Sequence, residues 1–463
     1  MRDTLERIAG DHGGFIELRY HHKTSRRFDV EGGRLEAALV KERAGVGVRV
    51  LEGGTWGVAA TSDTSEPAIR RAVDQAVAAA RASARYRSQR LGELPAVQLA
   101  RGRFEEPGVR ELQDQPLEAK IQVAIDAEAR ARASSTRIET ARATYQELFE
   151  DKVIVTSDGA RAEIRLVRPE FRVNAVVAQG TERATYSESY GATGGWDCLF
   201  RHRDSASMAD EAARWAVDLS TASMAPGGKF KVILAPSIVG LLVHEAIGHT
   251  VEADFVQSGS VAAGRIGTRV ASDLVTLCDS GASEHVGGAG GTIAVDDEGV
   301  VAGRTVVIDR GILSSYLHSR ESAMHYGVAP TGNARAWEYA DEPLIRMRNT
   351  YIEPGDRDLD EMIAEVEDGF LLDGPLNGQA DATGEFMFAV ARAHRIRKGK
   401  LGEVLKGATV SGSAFEVLAS VDAISKAFRW DLGSGHCGKG QPMKVDAGGP
   451  YVRCEVLIGG VGA

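Results

Sequence analysis

The stretch Leu241–Phe255, LLVHEAIGHTVEADF, places His244, Glu245 and His249 within six positions. Two imidazoles and a carboxylate at close spacing form the donor set of a metal-dependent hydrolase, with the histidines as zinc ligands and the glutamate as general base. In the familiar H-E-x-x-H helix the histidines stand at i and i+4, on one face. Here they stand at i and i+5, which a regular helix would separate by about 140°. Two nitrogens that share one zinc lie within about 3.5 Å of each other, so a straight helix cannot bring both to the metal. A single π-turn absorbs the extra residue, and such turns concentrate at functional sites. Gly248 suits a bulge at that point because it carries no side chain. The competing reading makes His244 and His249 unrelated polar residues of a helix whose apolar face is Leu241, Leu242, Ile247 and Val251. Against it, His244 and Glu245 sit in a strongly apolar run, where unpaired polar groups are costly.

A catalytic zinc takes three protein ligands and leaves a fourth position for water. Two candidates for the third ligand stand open. Glu252 lies one turn beyond His249, and its alternative role is that of an exposed helical carboxylate. Cys437 lies in GSGHCGKGQP, residues 433–442, where surrounding glycines let backbone and thiolate approach a metal closely. Cys278 and Cys454 fall in apolar strand-like runs and are expected in the core. With no C-x-x-C pair among four cysteines, a disulfide framework is not expected.

The elements that must position these residues follow from patterning. At 463 residues the chain exceeds what one core serves, so two or more substantial domains are expected. The first sixty residues read as strands at 15–22, 35–44, 45–54 and 55–61, followed by a long amphipathic helix from Ser65. Residues 91–115 read as an exposed crossing, 116–133 as a helix, 137–189 as strands and 207–220 as a helix. MAPGGKF at 224–230 marks the expected boundary, giving domains at 1–225 and 226–463. In the second half, 231–235 reads as a buried strand and Pro236 to about Phe255 as the helix that bears the motif. Residues 280–291 read as a mobile or ligand-facing Gly-rich loop, 304–318 as a hairpin turning at Asp309–Gly311, and 385–400 as a strand. A helix at 413–428 and a closing strand complete the reading. The expected fold class is α+β: a mixed N-terminal domain and a β-rich, barrel-like C-terminal domain that bears the metal.

The formal charge of −10 argues against nucleic acid as a partner, since that binding rests on counterion release at basic surfaces. Apolar runs fall short of the roughly 20 residues a spanning helix needs, so no membrane partner is expected. The N-terminus lacks the flank and cleavage site of a secretory signal, which makes the cytoplasm the expected compartment.

Taken together, VHEAIGHTVEADF (243–255), GTIAVDDEG (291–299), APTGNAR (329–335), PLIRMRNTYIEPG (343–355), KGATVSGS (406–413) and CGKGQP (437–442) resemble the TldD/PmbA family of metalloproteases, on its metal-bearing side. GVGVRVLEGGTWGVAATSD (45–63) is similar to the family's opening sheet. The resemblance implies a zinc peptidase in which His244 and His249 are ligands, Glu245 is the catalytic base and Cys437 is the third ligand. It implies unfolded peptides as substrates, bound extended along a sheet edge. It also implies a homodimer, or a heterodimer with a metal-free PmbA- or TldE-like subunit. Tyr316, His318, Asn333 and Arg335 are candidate substrate contacts from their family-like context, and the loop after Cys437 is compressed relative to the usual pattern. Three rival readings stand beside this one. A dipeptidyl peptidase III-like enzyme shares H-E-x-x-G-H, but its later paired-glutamate motif is not found here. A related metallohydrolase could cleave an amide or small conjugate in a natural-product pathway. A non-enzymatic modulator of DNA gyrase would have no use for an intact H-E-x-x-x-H.

Overall fold

The protein is described by a computed structural model covering residues 1–86, 90–180 and 182–460. The class is α+β, with 25% helix and 44% strand. The seven strands before residue 192 form one sheet, ordered Thr55–Thr61, Arg34–Glu52, Phe15–Glu31, Ile138–Thr156, Arg161–Gln179, Arg101–Glu105, with Glu182–Gly191 also pairing Arg161–Gln179. Successive side chains along Phe15–Glu31 point to opposite faces. Ile16 and Leu18 pack with Val46, Val48 and Val50 beneath the helix Glu66–Ala84, and the helices Leu117–Ala133 and Ser205–Thr221 cover Phe28, Val30, Val173 and Val177.

The opposite face carries Glu17, Arg19, His21 and Lys23, all buried. In a sheet with one apolar face, the polar face ordinarily meets water. Here it meets the second half of the chain through paired charges. Arg49 donates to Glu298 at 2.5 Å, Lys152 to Asp297 at 2.9 Å and Lys23 to the Trp337 carbonyl at 2.9 Å. Residues 35–44 and 45–54, read as two strands, are one 19-residue strand, Arg34–Glu52. Gly45 and Gly47 within it make room for Tyr339 of the second half: a Cβ on Gly47 would lie 2.3 Å from the Tyr339 carbonyl oxygen. The expected exposed crossing at 91–115 contains the edge strand Arg101–Glu105 and the short helix Val109–Asp114.

The second half is built on a closed barrel of five strands. Gly228–Leu234 pairs Asp368–Ala380, which pairs Glu385–Arg397, then Ala408–Ser413, then Asp446–Gly459, which returns to Gly228–Leu234. The helix expected over 413–428 ends at Ala419, and Ala423–Trp430 is a strand paired with Asp446–Gly459. Sheet pairing wins there because Ala423, Ile424 and Trp430 are buried in the strand arrangement. The Gly-rich stretch 280–291 is tied to the fold at several points. Gly290 donates to Asp446 at 2.8 Å, Gly291 to Asn349 at 2.9 Å, and Trp430 holds the Val286 carbonyl at 2.8 Å. Cys278 and Cys454 are buried, as expected, and burial raises the Cys278 thiol to about 12.

Candidate metal centre

The motif-bearing helix leaves the barrel strand Gly228–Leu234 at Pro236, a residue suited to a first helical turn. It then changes type twice. Pro236–Leu242 is α-helical, Val243–Gly248 is a π-turn and His249–Val251 is a 3-10 turn. The His249 amide donates to the His244 carbonyl, the i to i+5 bond that defines the π-turn and brings the two rings together. Their centroids lie 5.3 Å apart with planes at 81°. The bulge expected from spacing is therefore present, but Gly248 serves it differently than expected. Its backbone has ordinary helical angles, φ −54° and ψ −50°. What it lacks room for is a side chain, since a Cβ would lie 1.8 Å from Met347 Sδ.

Cys437 arrives on the small hairpin His436–Gly438 and Pro442–Lys444. Its Sγ lies 3.2 Å from His249 Nε2. Ligand atoms of His244, His249 and Cys437 all fall within 4.8 Å of one another, a group that could hold a metal ion. Glu245 is half-buried beside the cluster, with Oε2 3.9 Å from His249 Nε2. The hairpin is anchored despite its short turn. Arg346 donates to the Cys437 carbonyl at 2.5 Å and to the Gln441 carbonyl at 2.8 Å, while the Gln441 side chain accepts from Trp337 N–H at 2.6 Å.

The electrostatics agree with a thiolate and nitrogen donor set. Burial alone would raise the Cys437 thiol, but the neighbouring His244 and His249 pull it down to about 4. Burial opposes the charged form of His249, yet Cys437 and Glu252 outweigh it and hold the ring up at about 10. The neighbours thus favour the thiolate and the imidazolium, and a divalent cation would take the place of the proton. Nδ1 of His244 is buried with no hydrogen-bond partner among the described residues, the kind of orphan a missing group leaves. The residues fit a zinc site.

Of the two candidates for the third position, Cys437 stands in the donor cluster and Glu252 does not. Glu252 is fully buried behind His249, with Oε2 3.3 Å from Nδ1, so it is neither a member of the cluster nor an exposed carboxylate. The proposed substrate contacts are occupied within the fold. Tyr316 donates its hydroxyl to the Ala262 carbonyl at 2.7 Å, Asn333 donates to Asp279 and to the Arg346 carbonyl, both at 2.9 Å, and Arg335 donates to the Met347 carbonyl at 2.8 Å. His318 follows Leu317, whose backbone pairs with Val251 and Ala253, so it lies beside the end of the motif helix. It is buried, with Nδ1 3.1 Å from Ser322 Oγ. All four are buried, and Tyr316, Asn333 and Arg335 each donate to neighbouring chain. Lys439 is the site residue that pattern reading passed over, because a lysine in a polar turn ordinarily reads as a solvated charge.

Three descriptions of PmbA/TldA metallopeptidase domains match the chain: domain 1 over residues 16–80, the central domain over 110–219 and the C-terminal domain over 227–460. A metalloprotease of Methanocaldococcus jannaschii is 34% identical over 451 residues, covering 96% of this chain and 97% of the relative. The chain belongs to the PmbA/TldD metallopeptidase family. A TldD homologue of Haemophilus influenzae, also named a metalloprotease, is 33% identical over 92% of this chain and 90% of its own length. A Saccharolobus solfataricus relative named a zinc metalloprotease is 37% identical over 235 residues, half of this chain. Among solved structures, TldE of Thermococcus kodakarensis shares the fold, with a TM-score of 0.77 at 17% identity, covering 98% of this chain and 99% of that one. Among the described residues, no helix is long and apolar enough to cross a membrane.

Proposed function

We propose that this PmbA/TldD chain is a zinc-dependent peptidase that hydrolyses amide bonds of unstructured peptides bound in extended form. The observation that carries this reading is the convergence of His244, His249 and Cys437 across nearly two hundred residues, with the Glu245 carboxylate beside the same cluster. The zinc assignment draws support from the donor chemistry and from the name of the Saccharolobus solfataricus relative. A zinc ion held by these three side chains supplies Lewis acidity toward the scissile carbonyl and makes a water acidic near neutral pH. Glu245 accepts the proton of the attacking water and returns it to the leaving amine. Half-buried, it reaches solvent and cluster alike. Main-chain hydrogen bonds to an extended peptide give affinity with loose sequence preference.

In this reading residues 226–463 form the catalytic domain, and residues 1–225 supply dimer contacts and one wall of the substrate cleft. The partner is a second copy or a metal-free subunit of the TldE kind, whose fold the Thermococcus kodakarensis structure represents. The test is metal analysis of the native protein, followed by incubation with a mixture of unstructured peptides and mass spectrometry, with and without a TldE-like subunit. Zinc near one per chain and cleavage lost by about 10²-fold or more in Glu245→Gln are expected. Absence of zinc, or full activity in Glu245→Gln, overturns the proposal.

A further inference from the structure

We infer that Lys439 and Glu252 form a latch that positions His249 and Cys437 together, so that docking of the cysteine hairpin and orientation of the histidine are one event. This rests on the metal site proposed above. Lys439 stands two residues after Cys437, in the hairpin turn. Its ammonium has three donors, and it lies 2.8 Å from Glu252 Oε2, 2.8 Å from Asp254 Oδ1 and 2.9 Å from the Ile345 carbonyl oxygen. Glu252 Oε2 is also the atom 3.3 Å from His249 Nδ1. A carboxylate facing Nδ1 calls for the proton on that nitrogen, which leaves Nε2, 3.2 Å from Cys437 Sγ, as the ligand atom.

The contacts close a ring. His249 holds Glu252, Glu252 holds Lys439, and the chain leads back from Lys439 to Cys437, which meets the other nitrogen of His249. The Glu252 carboxylate is fully buried, and a buried charge persists only when paired. If the hairpin swings away, Cys437 leaves the cluster and Glu252 loses its cation at the same time. Lys439 also offsets local negative charge, since Glu245, Glu252, Asp254 and the Cys437 thiolate crowd one small region. Lys439 and Glu252 are positioning residues. They act through His249 and Cys437.

The experiment measures zinc affinity of the full chain by competition with a chromophoric chelator. The cobalt-substituted absorption spectrum and the melting temperature of the metal-free protein are recorded alongside. Glu252→Gln is expected to weaken zinc binding by about 10- to 100-fold, the usual range for a partner behind a ligand histidine, and Lys439→Met by about 10-fold. The double substitution should be no weaker than Glu252→Gln alone, because the two act as one unit. Lys439→Arg, which keeps the cation, should restore most of the affinity. The thiolate-to-cobalt band should weaken in Lys439→Met. Unchanged zinc affinity in both single variants, or losses that multiply in the double variant, would overturn the latch. So would a lower melting temperature with wild-type affinity and spectrum. If Glu252→Gln does not fold, Lys439→Met and Lys439→Arg decide, since Lys439 is partly exposed at 13%. Failure of the underlying reading looks different: the wild-type chain would take up no zinc, or would keep it in Cys437→Ser.

Discussion

Gly248→Ala separates two reasons for a glycine beside His249, a proposed metal ligand. One is that the π-turn needs its conformational freedom. The other is that Met347 leaves no room for a methyl group. The helical φ and ψ at Gly248 favour the second, because alanine adopts those angles freely. A new Cβ would stand 1.8 Å from Met347 Sδ, well inside contact distance, and Met347 is fully buried. Overpacking of a dense core costs about 1–3 kcal/mol, and this contact lies at the upper end. Alanine regains roughly 1 kcal/mol of helix propensity, so the net cost is about 2 kcal/mol. For a cooperative unit of the size of the second half this lowers the melting temperature by about 4–8 °C. Zinc binding should weaken as well, since the displaced turn carries His249. The decisive assay is the same substitution in a Met347→Ala background, by thermal melting and zinc competition. With the sulfur gone, Gly248→Ala should cost nothing or stabilise slightly, a coupling of about 2–3 kcal/mol. An equal cost in both backgrounds would refute the packing argument and return the glycine to the backbone.

Two further outcomes follow from buried charge. Glu298 accepts from Arg49 at 2.5 Å and from the Arg320 amide at 2.7 Å, fully buried between the two halves, so Glu298→Ala should destabilise by about 3–5 kcal/mol in denaturant unfolding. A loss below about 1 kcal/mol would show the seam to be a weak contact. Burial lowers His318 to about 4, so the folded protein keeps it neutral while the unfolded chain takes up a proton below about 6.5. Stability from this residue is therefore complete above about 6.5 and is lost as pH falls toward 4, by about 3 kcal/mol in all. His318→Gln should flatten that acid limb, and an unchanged slope would count against the assignment.

The chemistry of this chain was legible where a local rule carried it. Spacing of five between His244 and His249 demands a π-turn if both face one metal, and no distant information is needed to say so. The second sheet was harder. Barrel closure depends on Ala408–Ser413 pairing both Glu385–Arg397 and Asp446–Gly459, and a six-residue strand carries little pattern of its own. At 420–428 a helical period extended from Phe415 and Leu418 lost to a strand partner that lies thirty residues away. The charged face of the first sheet illustrates the deeper limit. Glu17, Arg19, His21 and Lys23 alternate with apolar residues as a solvated face would, and only Glu298, Asp297 and Trp337 reveal that the face is a seam. Period-two patterning tells which side chains share a face, not what dielectric that face meets.

Lys439 belongs to the same class of misreading. Its one-residue signature, a cation in a glycine turn, is shared with any solvated lysine. What distinguishes it is that Glu252, weighed from the sequence as a third ligand, and Asp254 sit where they can use all but one of its donors. A charged residue's role is fixed by the partner that burial supplies, and for Lys439 those partners lie more than 180 residues away in the sequence. That is why the candidate ligands His244 and His249 could be found from the motif, while the residues that pack behind them had to wait for the fold.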